Sequence, residues 1–381
     1  MKADESGYLC NPDEGELRLI RTTPATTSAG KSFDWMVNRN LEEGEWRLEC
    51  ISADVLGLAR PLEVYRARRR SNFVKPWPST DTAEAYCPAH WADIAIGRGA
   101  CGLRCRACFL VLTHRLFCDP SRHVLYENVA DFELAVRKWL QKPSRANLGL
   151  GTDCSDSLLY EGVTGHARRL SPLFASTKAN PRGSKLVLLT KSVNVRYLEG
   201  LPTRNVIVTF SLNPEHIADL WEGKFDDGVR VTPPIAARLE AALHAQELGF
   251  EVRWRIDPIL TVDGWQDEYA GFFEEAALAG HRPLRVTLGT YRETQPSLST
   301  FVEGWGLPPM EWQPPELEKD GMHYHVPEKR RVRIYQFMAA AIRDVWKPQS
   351  QPPIVALCKE PRSLRRRVGL DHDLCNCGPC M

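Results

Sequence analysis

Between about Tyr86 and Arg292 the chain repeats one pattern: a short apolar run that stops at polar residues, then a stretch with helical periodicity. The β-like runs are DIAIGRGA (93–100), NLGLGTD (147–153), SKLVLLTKS (184–192), NVIVTFSLN (205–213), FEVRWRIDP (250–258) and LRVTLGTYR (284–292). Helical stretches lie at 128–140, 163–174, 233–249 and 265–280. Strands alternating with helices imply βαβ units and a parallel sheet. Six such units suit an open, partial (β/α)6 barrel better than a closed eight-stranded one, with a doubly wound sheet as the alternative. In parallel α/β folds the site lies at the carboxyl ends of the strands. The polar stops there are three cysteines, Asp153, Lys191, Ser211 with Asn213, Asp257, and Tyr291 with Arg292.

The flanks read differently. Residues 1–85 form an irregular N-terminal accessory region with strand-like LRLI (17–20) and PLEVYRA (61–67). Residues 86–299 carry the barrel pattern, and 300–381 form a C-terminal extension. Within it, 300–326 reads as loop, 329–346 as helix, PPIVALCKE (352–360) as a short strand, and the arginines near 366 as a basic turn or helix. No apolar run is long enough to span a bilayer, which excludes a membrane span. The opening stretch is acidic and broken, unlike a signal peptide, so the expected location is the cytoplasm. In that reducing compartment the twelve cysteines point to metal or redox chemistry rather than disulfides.

Three of them, Cys101, Cys105 and Cys108, fall in CGLRCRAC directly after the first run. A closed structural zinc site wants four ligands, so zinc would need Cys118, Cys87 or His90 as well. A four-iron cluster normally takes four cysteines. With three, one iron is left open for a substrate or cofactor.

This CxxxCxxC frame after a first barrel strand resembles the radical S-adenosylmethionine (radical SAM) superfamily. The resemblance narrows to the spore photoproduct lyase family on CGLRCRACF, the SDSL stretch at 155–158, LLTKS at 188–192 and VTFSLNPE at 208–215. It continues through the block from 232 to 260 and GWQDEY at 264–269, and it covers about half the chain, from 97 to 295. The resemblance implies a 4Fe–4S cluster on Cys101, Cys105 and Cys108, and S-adenosylmethionine on its open iron. It implies reductive cleavage of a carbon–sulfur bond to start radical chemistry, fed by an electron donor such as flavodoxin or ferredoxin. Lys191 and Ser211 match the family's cofactor contacts. A lysine there is a point-charge partner for the methionyl carboxylate, and Asn213 offers further hydrogen bonds. Asp153 on the GLGTD turn, Asp257 and Arg292 face the same expected mouth. Taken alone, each is an ordinary strand-end polar residue.

The departures concern hydrogen return. Aligned on the Ser-Asp pair, the family's donor cysteine falls at Asp153, with Cys154 one residue on and turned to the other face if the chain is extended. The family's relay tyrosine is Phe109 here, and the aromatic before the last cysteine is Ala107. These changes favour a substrate other than a thymine dimer in DNA, with DNA photoproduct repair as the alternative. The tail adds Cys375, Cys377 and Cys380, with Cys358 upstream. Three readings stand: a second iron–sulfur cluster or zinc on all four, a thiol hydrogen donor such as Cys377 folded over the mouth, or an inert end. Arg66, Arg68, Arg69 and Arg70, and Arg362, Arg365, Arg366 and Arg367, form two basic clusters. If they converge, a phosphate-bearing partner such as nucleic acid fits. The formal net charge of +1 favours two solvated basic turns instead. A zinc-stabilised nucleic-acid-binding protein is the alternative from outside the enzymes. HYH at 323–325 reads as polar loop surface rather than a metal pair.

Overall fold

The computed structural model describes residues 8–9, 20–21, 42–76, 91–99, 101–106, 108, 123–142, 146–152, 155–225, 227–293, 316–320, 323–348, 351–370, 372 and 374–377. Its centre is an eight-stranded sheet of β1 (Val74–Pro76), β2 (Trp91–Ile94), β3 (Asn147–Leu150), β4 (Leu186–Thr190), β5 (Val206–Ser211), β6 (Glu251–Ile259), β7 (Arg285–Thr290) and β8 (Ile354–Leu357). The strands lie side by side in chain order, and every pairing is parallel except β1 with β2. The sheet is open: β1 and β8 are its edges and do not pair with each other.

The expected six strands are all present, and two additions come from the flanks. β1 joins from the N-terminal region and β8 from the C-terminal extension. The first run, 93–100, is two strands rather than one. It breaks after β2, and Gly97–Gly99 pairs into a second sheet with Glu42–Ile51, Leu62–Arg69 and His123–Tyr126. Residues 323–325 are also a strand rather than a loop, paired with 292–293 and 318–320, and His325 is buried.

Strands buried on one face and lined by polar groups on the other alternate with period two. On the back face Leu148, Leu186, Val208, Val252, Trp254, Ile256, Val286 and Leu288 are buried in one core. Helices α1 (Val129–Leu140), α2 (His166–Ala175), α3 (Glu215–Glu222), α4 (Ile235–Glu247), α5 (Trp265–Leu278) and α6 (Glu328–Trp346) cover it, and α7 (Arg362–Val368) follows β8. Trp254 is fully buried, edge-on to Trp346 at 5.7 Å and tilted against Phe272 at 5.9 Å. Truncating it would cost about 3–5 kcal/mol. The front face carries Asp93, Asn147, Thr209, Arg253, Arg255, Asp257, Arg285 and Thr287. Among the described residues no helix is long and apolar enough to cross a membrane.

In both arginine clusters several members are buried or paired. Residues 65–69 are strand, with Arg66 facing Glu49 at 3.5 Å and Glu127 at 3.7 Å. Arg69 donates to Ser71 O and Asn72 O. Arg365 is fully buried and donates to the carbonyls of Leu357, Glu360 and Leu374, while Arg367 pairs with Glu328. The second cluster therefore organises the C-terminal extension.

Candidate active site

The cysteine loop is a folded unit wedged between the small core and α3. Cys101 O accepts from Arg104 N at 3.0 Å, and Cys105 O accepts from Cys108 N at 3.1 Å. Arg104 takes a left-handed conformation, φ 47°. Leu103 is buried with Ile51, Leu62, Leu125, Leu159 and Tyr160, and Cys101 and Cys105 pack on the same group. On the other side Arg106 N donates to Glu222 O at 3.1 Å. Gly102 is required by a close approach: a Cβ there would collide with the Tyr160 hydroxyl and stand 2.6 Å from Leu62 Cδ1.

The three thiols sense one another. Burial pushes Cys105 up to about 12, and Glu222 and Cys108 add to the rise while Lys191 opposes it. Burial likewise raises Cys101, helped by Asp156 and by the other two cysteines. Three neighbouring, half-buried thiols with a lysine at hand form a soft sulfur donor set. That chemistry fits a metal cluster. Among the described residues no three His, Cys, Asp or Glu side chains are drawn together closely enough to hold a metal as placed.

Lys191 follows the last residue of β4 and pairs with Glu222 at 3.1 Å, with its side chain 17% exposed. Burial alone would lower Lys191. The charge of Cys105 when it is ionised, and that of Glu222, outweigh this and keep the ammonium charged. Glu222 is the residue sequence reasoning missed. It sits at the end of α3, salt-bridged to Arg238 through both oxygens and hydrogen-bonded by Thr232 at 2.6 Å. Burial would raise its carboxyl, yet Arg238 and Lys191 bring it down to about 2. Its position on a short helix outside the βα pattern gave no periodic signal.

Asp156 orders the other wall. It accepts from Leu158 N, Leu159 N, Thr190 Oγ1 and Lys191 N between 2.6 and 3.0 Å, which ties the SDSL stretch to the end of β4. Asp93 on β2 holds the turn after β3 by accepting from Thr152 N at 2.9 Å and Thr152 Oγ1 at 2.6 Å. Glycine is needed at 149, since a Cβ would stand 2.5 Å from Asp93 Oδ1. Asp153 and Cys154, and with them Phe109 and Ala107, lie outside the described residues.

Ser211 ends β5, buried, and its carbonyl accepts from Arg238 at 3.2 Å. Asn213 is engaged at both ends: Oδ1 accepts from the Tyr269 hydroxyl at 2.9 Å, and Nδ2 donates to Pro258 O at 3.3 Å. Both ends of its amide therefore reach the β6 turn, with one N–H and one lone pair still available. Asp257 and Arg292 reach the same strand ends but face each other, Arg292 Nη2 to Asp257 Oδ2 at 2.8 Å, with Arg255 Nη2 on the same oxygen at 2.7 Å. Burial would raise Asp257, and the two guanidiniums hold it well below the usual carboxylate range. Cys358 joins this group from the end of β8.

No family model matches the chain. No curated protein matches it either. Among solved structures it is similar to spore photoproduct lyase complexed with dinucleoside spore photoproduct, with a TM-score of 0.59 at 18% identity, over 77% of this chain and 80% of that one. A double mutant of spore photoproduct lyase with bound AdoMet (S-adenosylmethionine) and the same dinucleoside gives a TM-score of 0.56 at 17% identity, over 73% and 80%. The open parallel sheet, its strand order and the cysteine loop after β2 therefore belong to a chain with the fold of spore photoproduct lyase.

Proposed function

We propose that this chain is a radical SAM enzyme that works at the mouth formed by the carboxyl ends of β2 to β7. Cys101, Cys105 and Cys108 would hold a 4Fe–4S cluster, and Lys191 with Ser211 would bind S-adenosylmethionine. The observation that carries this reading is the cysteine loop after β2 joined through Arg106 N to Glu222 O, with the Glu222 carboxylate pairing Lys191, in this fold. Solved structures of that fold include one with bound AdoMet. When bound, the cluster supplies the electron that cleaves the cofactor's carbon–sulfur bond.

The protein's own residues do the rest. The Glu222–Arg238 pair holds Lys191 at the mouth as a fixed positive charge for a carboxylate. Asp156 fixes the backbone of Lys191 through its N–H, so the ammonium is aimed by a strand end and not by a loop. The small core under Leu103 keeps water from one side of the thiols.

The test is anaerobic reconstitution with iron and sulfide, then reduction in the presence of S-adenosylmethionine. The expected result is a brown protein that forms 5′-deoxyadenosine, and a Cys105→Ala variant that does neither. A colourless zinc protein with no cofactor cleavage would sink the reading. Substrate identity is a separate question. The replacement of the family's donor cysteine by Asp153 and of its tyrosine by Phe109 favours a substrate other than a DNA photoproduct. Ultraviolet-irradiated DNA decides this, because restored thymines would establish repair.

A further inference from the structure

The end of the chain is built into the front face of the sheet. Four consecutive backbone carbonyls each accept from a different element: Leu374 O from Arg365 at 2.9 Å, Cys375 O from Arg285 at 2.5 Å, Asn376 O from Arg253 at 2.6 Å, and Cys377 O from Asn147 at 3.1 Å. Thr209 donates to the Asn376 side chain at 3.1 Å, and Asn376 is 1% exposed. Chain ends are usually loose unless tied down, and this one is tied at every residue from 374 to 377. The result is two cysteines, Cys375 and Cys377, carried onto the front face of the open sheet.

A third thiol meets them there. Cys358, just past β8, has its sulfur 3.5 Å from Arg255 Nη2 and 3.6 Å from Arg292 Nη2. Lys359 follows in a left-handed conformation, φ 52°. Arg255 and Arg292 share the carboxylate of Asp257, so two guanidiniums meet one anion there.

We propose that Cys358, Cys375 and Cys377 are ligands of a second, thiolate-bound metal centre, an iron–sulfur cluster or a zinc ion, seated against Arg255 and Arg292. Guanidinium hydrogen bonds to ligand sulfurs are the kind of outer shell that stabilises an anionic thiolate site. The bonds of the Cys375 and Cys377 carbonyls to Arg285 and Asn147 hold both residues on the sheet face that carries Arg255. With free thiols the two guanidiniums have one carboxylate, Asp257, and one neutral sulfur, Cys358, between them. As thiolates on a metal they would satisfy both. The side chains as placed do not form a coordination group, and metal binding would draw them together, as it commonly does when coupled to folding. Cys380, which completes CxCxxC, lies outside the described residues.

The test uses the full chain with the first site removed, Cys101→Ala, Cys105→Ala and Cys108→Ala together. It is therefore independent of the function proposed above. The protein is loaded anaerobically with iron and sulfide in one arm and with zinc in the other, and metal is counted by mass spectrometry. The expected result is about four irons with visible colour, or about one zinc, per chain. Adding Cys358→Ala and Cys377→Ala should bring the count to background. Alkylation mapping guards against a misfolded variant: in the loaded wild type Cys358, Cys375 and Cys377 should resist iodoacetamide until a chelator is added. Background metal in both arms, with Cys358 and Cys377 alkylated without chelator, would overturn the proposal and leave a free thiol pair on the front face.

Discussion

Glu222→Gln separates charge from shape in the wall behind Lys191. Glutamine keeps the volume and the oxygen that Thr232 reaches, but it leaves Arg238 and Lys191 buried without a counter-charge. Removing one partner of a buried pair costs about 3–5 kcal/mol. The linkage route gives a similar figure. Glu222 moves from an ordinary 4.5 to about 2 on folding, which corresponds to about 3 kcal/mol. The sign follows from the depressed value. The contribution is fully present above about pH 4.5 and is lost as pH falls through about 2, where the folded carboxylate takes up its proton. For a chain of 381 residues about 3 kcal/mol is a melting shift of about 4 °C. The assay is thermal or urea unfolding of both proteins from pH 7 down to pH 2. The variant should be less stable by about that amount at pH 7, and the two curves should converge as the pH approaches 2. An offset that stays constant across the pH range would show a packing defect. No offset at pH 7 would refute the electrostatic account of Lys191.

Lys191→Ala should weaken S-adenosylmethionine binding by roughly ten- to a hundredfold, the worth of one charge-assisted hydrogen bond, while iron content is retained; equilibrium binding and an iron assay read the two apart. Gly102→Ala should push the cysteine loop off Tyr160 and Leu62 and lower the iron retained on Cys101, Cys105 and Cys108, with the melting temperature as the control for global unfolding. Arg365→Met removes donors to three carbonyls and should cost about 3 kcal/mol or more. It should also open the 374–377 segment to limited proteolysis ahead of the sheet.

The order of the sheet was legible because six apolar runs alternate with helical stretches, and a parallel sheet is the arrangement that buries both. The cysteine loop was legible because its spacing is local. Two things were misread for the same physical reason. The run DIAIGRGA looks continuous, yet its glycines let the backbone leave one sheet at Ile94 and enter another at Gly97. The HYH segment looks polar, yet His325 is buried and pairs with Arg292, more than thirty positions away, on one side and with Glu318 on the other. Strand partners at that separation leave no mark on the local pattern.

The tail shows a signal that was present and passed over. In EVRWRID every second residue of β6 is charged, Glu251, Arg253, Arg255 and Asp257. A strand in the middle of a parallel sheet is normally apolar on both faces, so a charged period-two set there demands buried partners. Glu251 serves Arg253, and Asp257 serves Arg255. The rest of the demand is met by the chain's own end, whose carbonyls satisfy Arg253 and Arg285, and by Cys358. The CxCxxC motif and the charged strand are thus one feature in two halves. Arginines that bind backbone account for the anchoring of the tail, but they do not require cysteines at 375 and 377. Any residues would offer the same carbonyls. The thiols need a separate reason, and the proposed metal centre would supply one beside the Cys358 sulfur, which Arg255 and Arg292 approach at 3.5 and 3.6 Å. This is why the metal count in a chain without its first three cysteines is the measurement that distinguishes a plug from a centre.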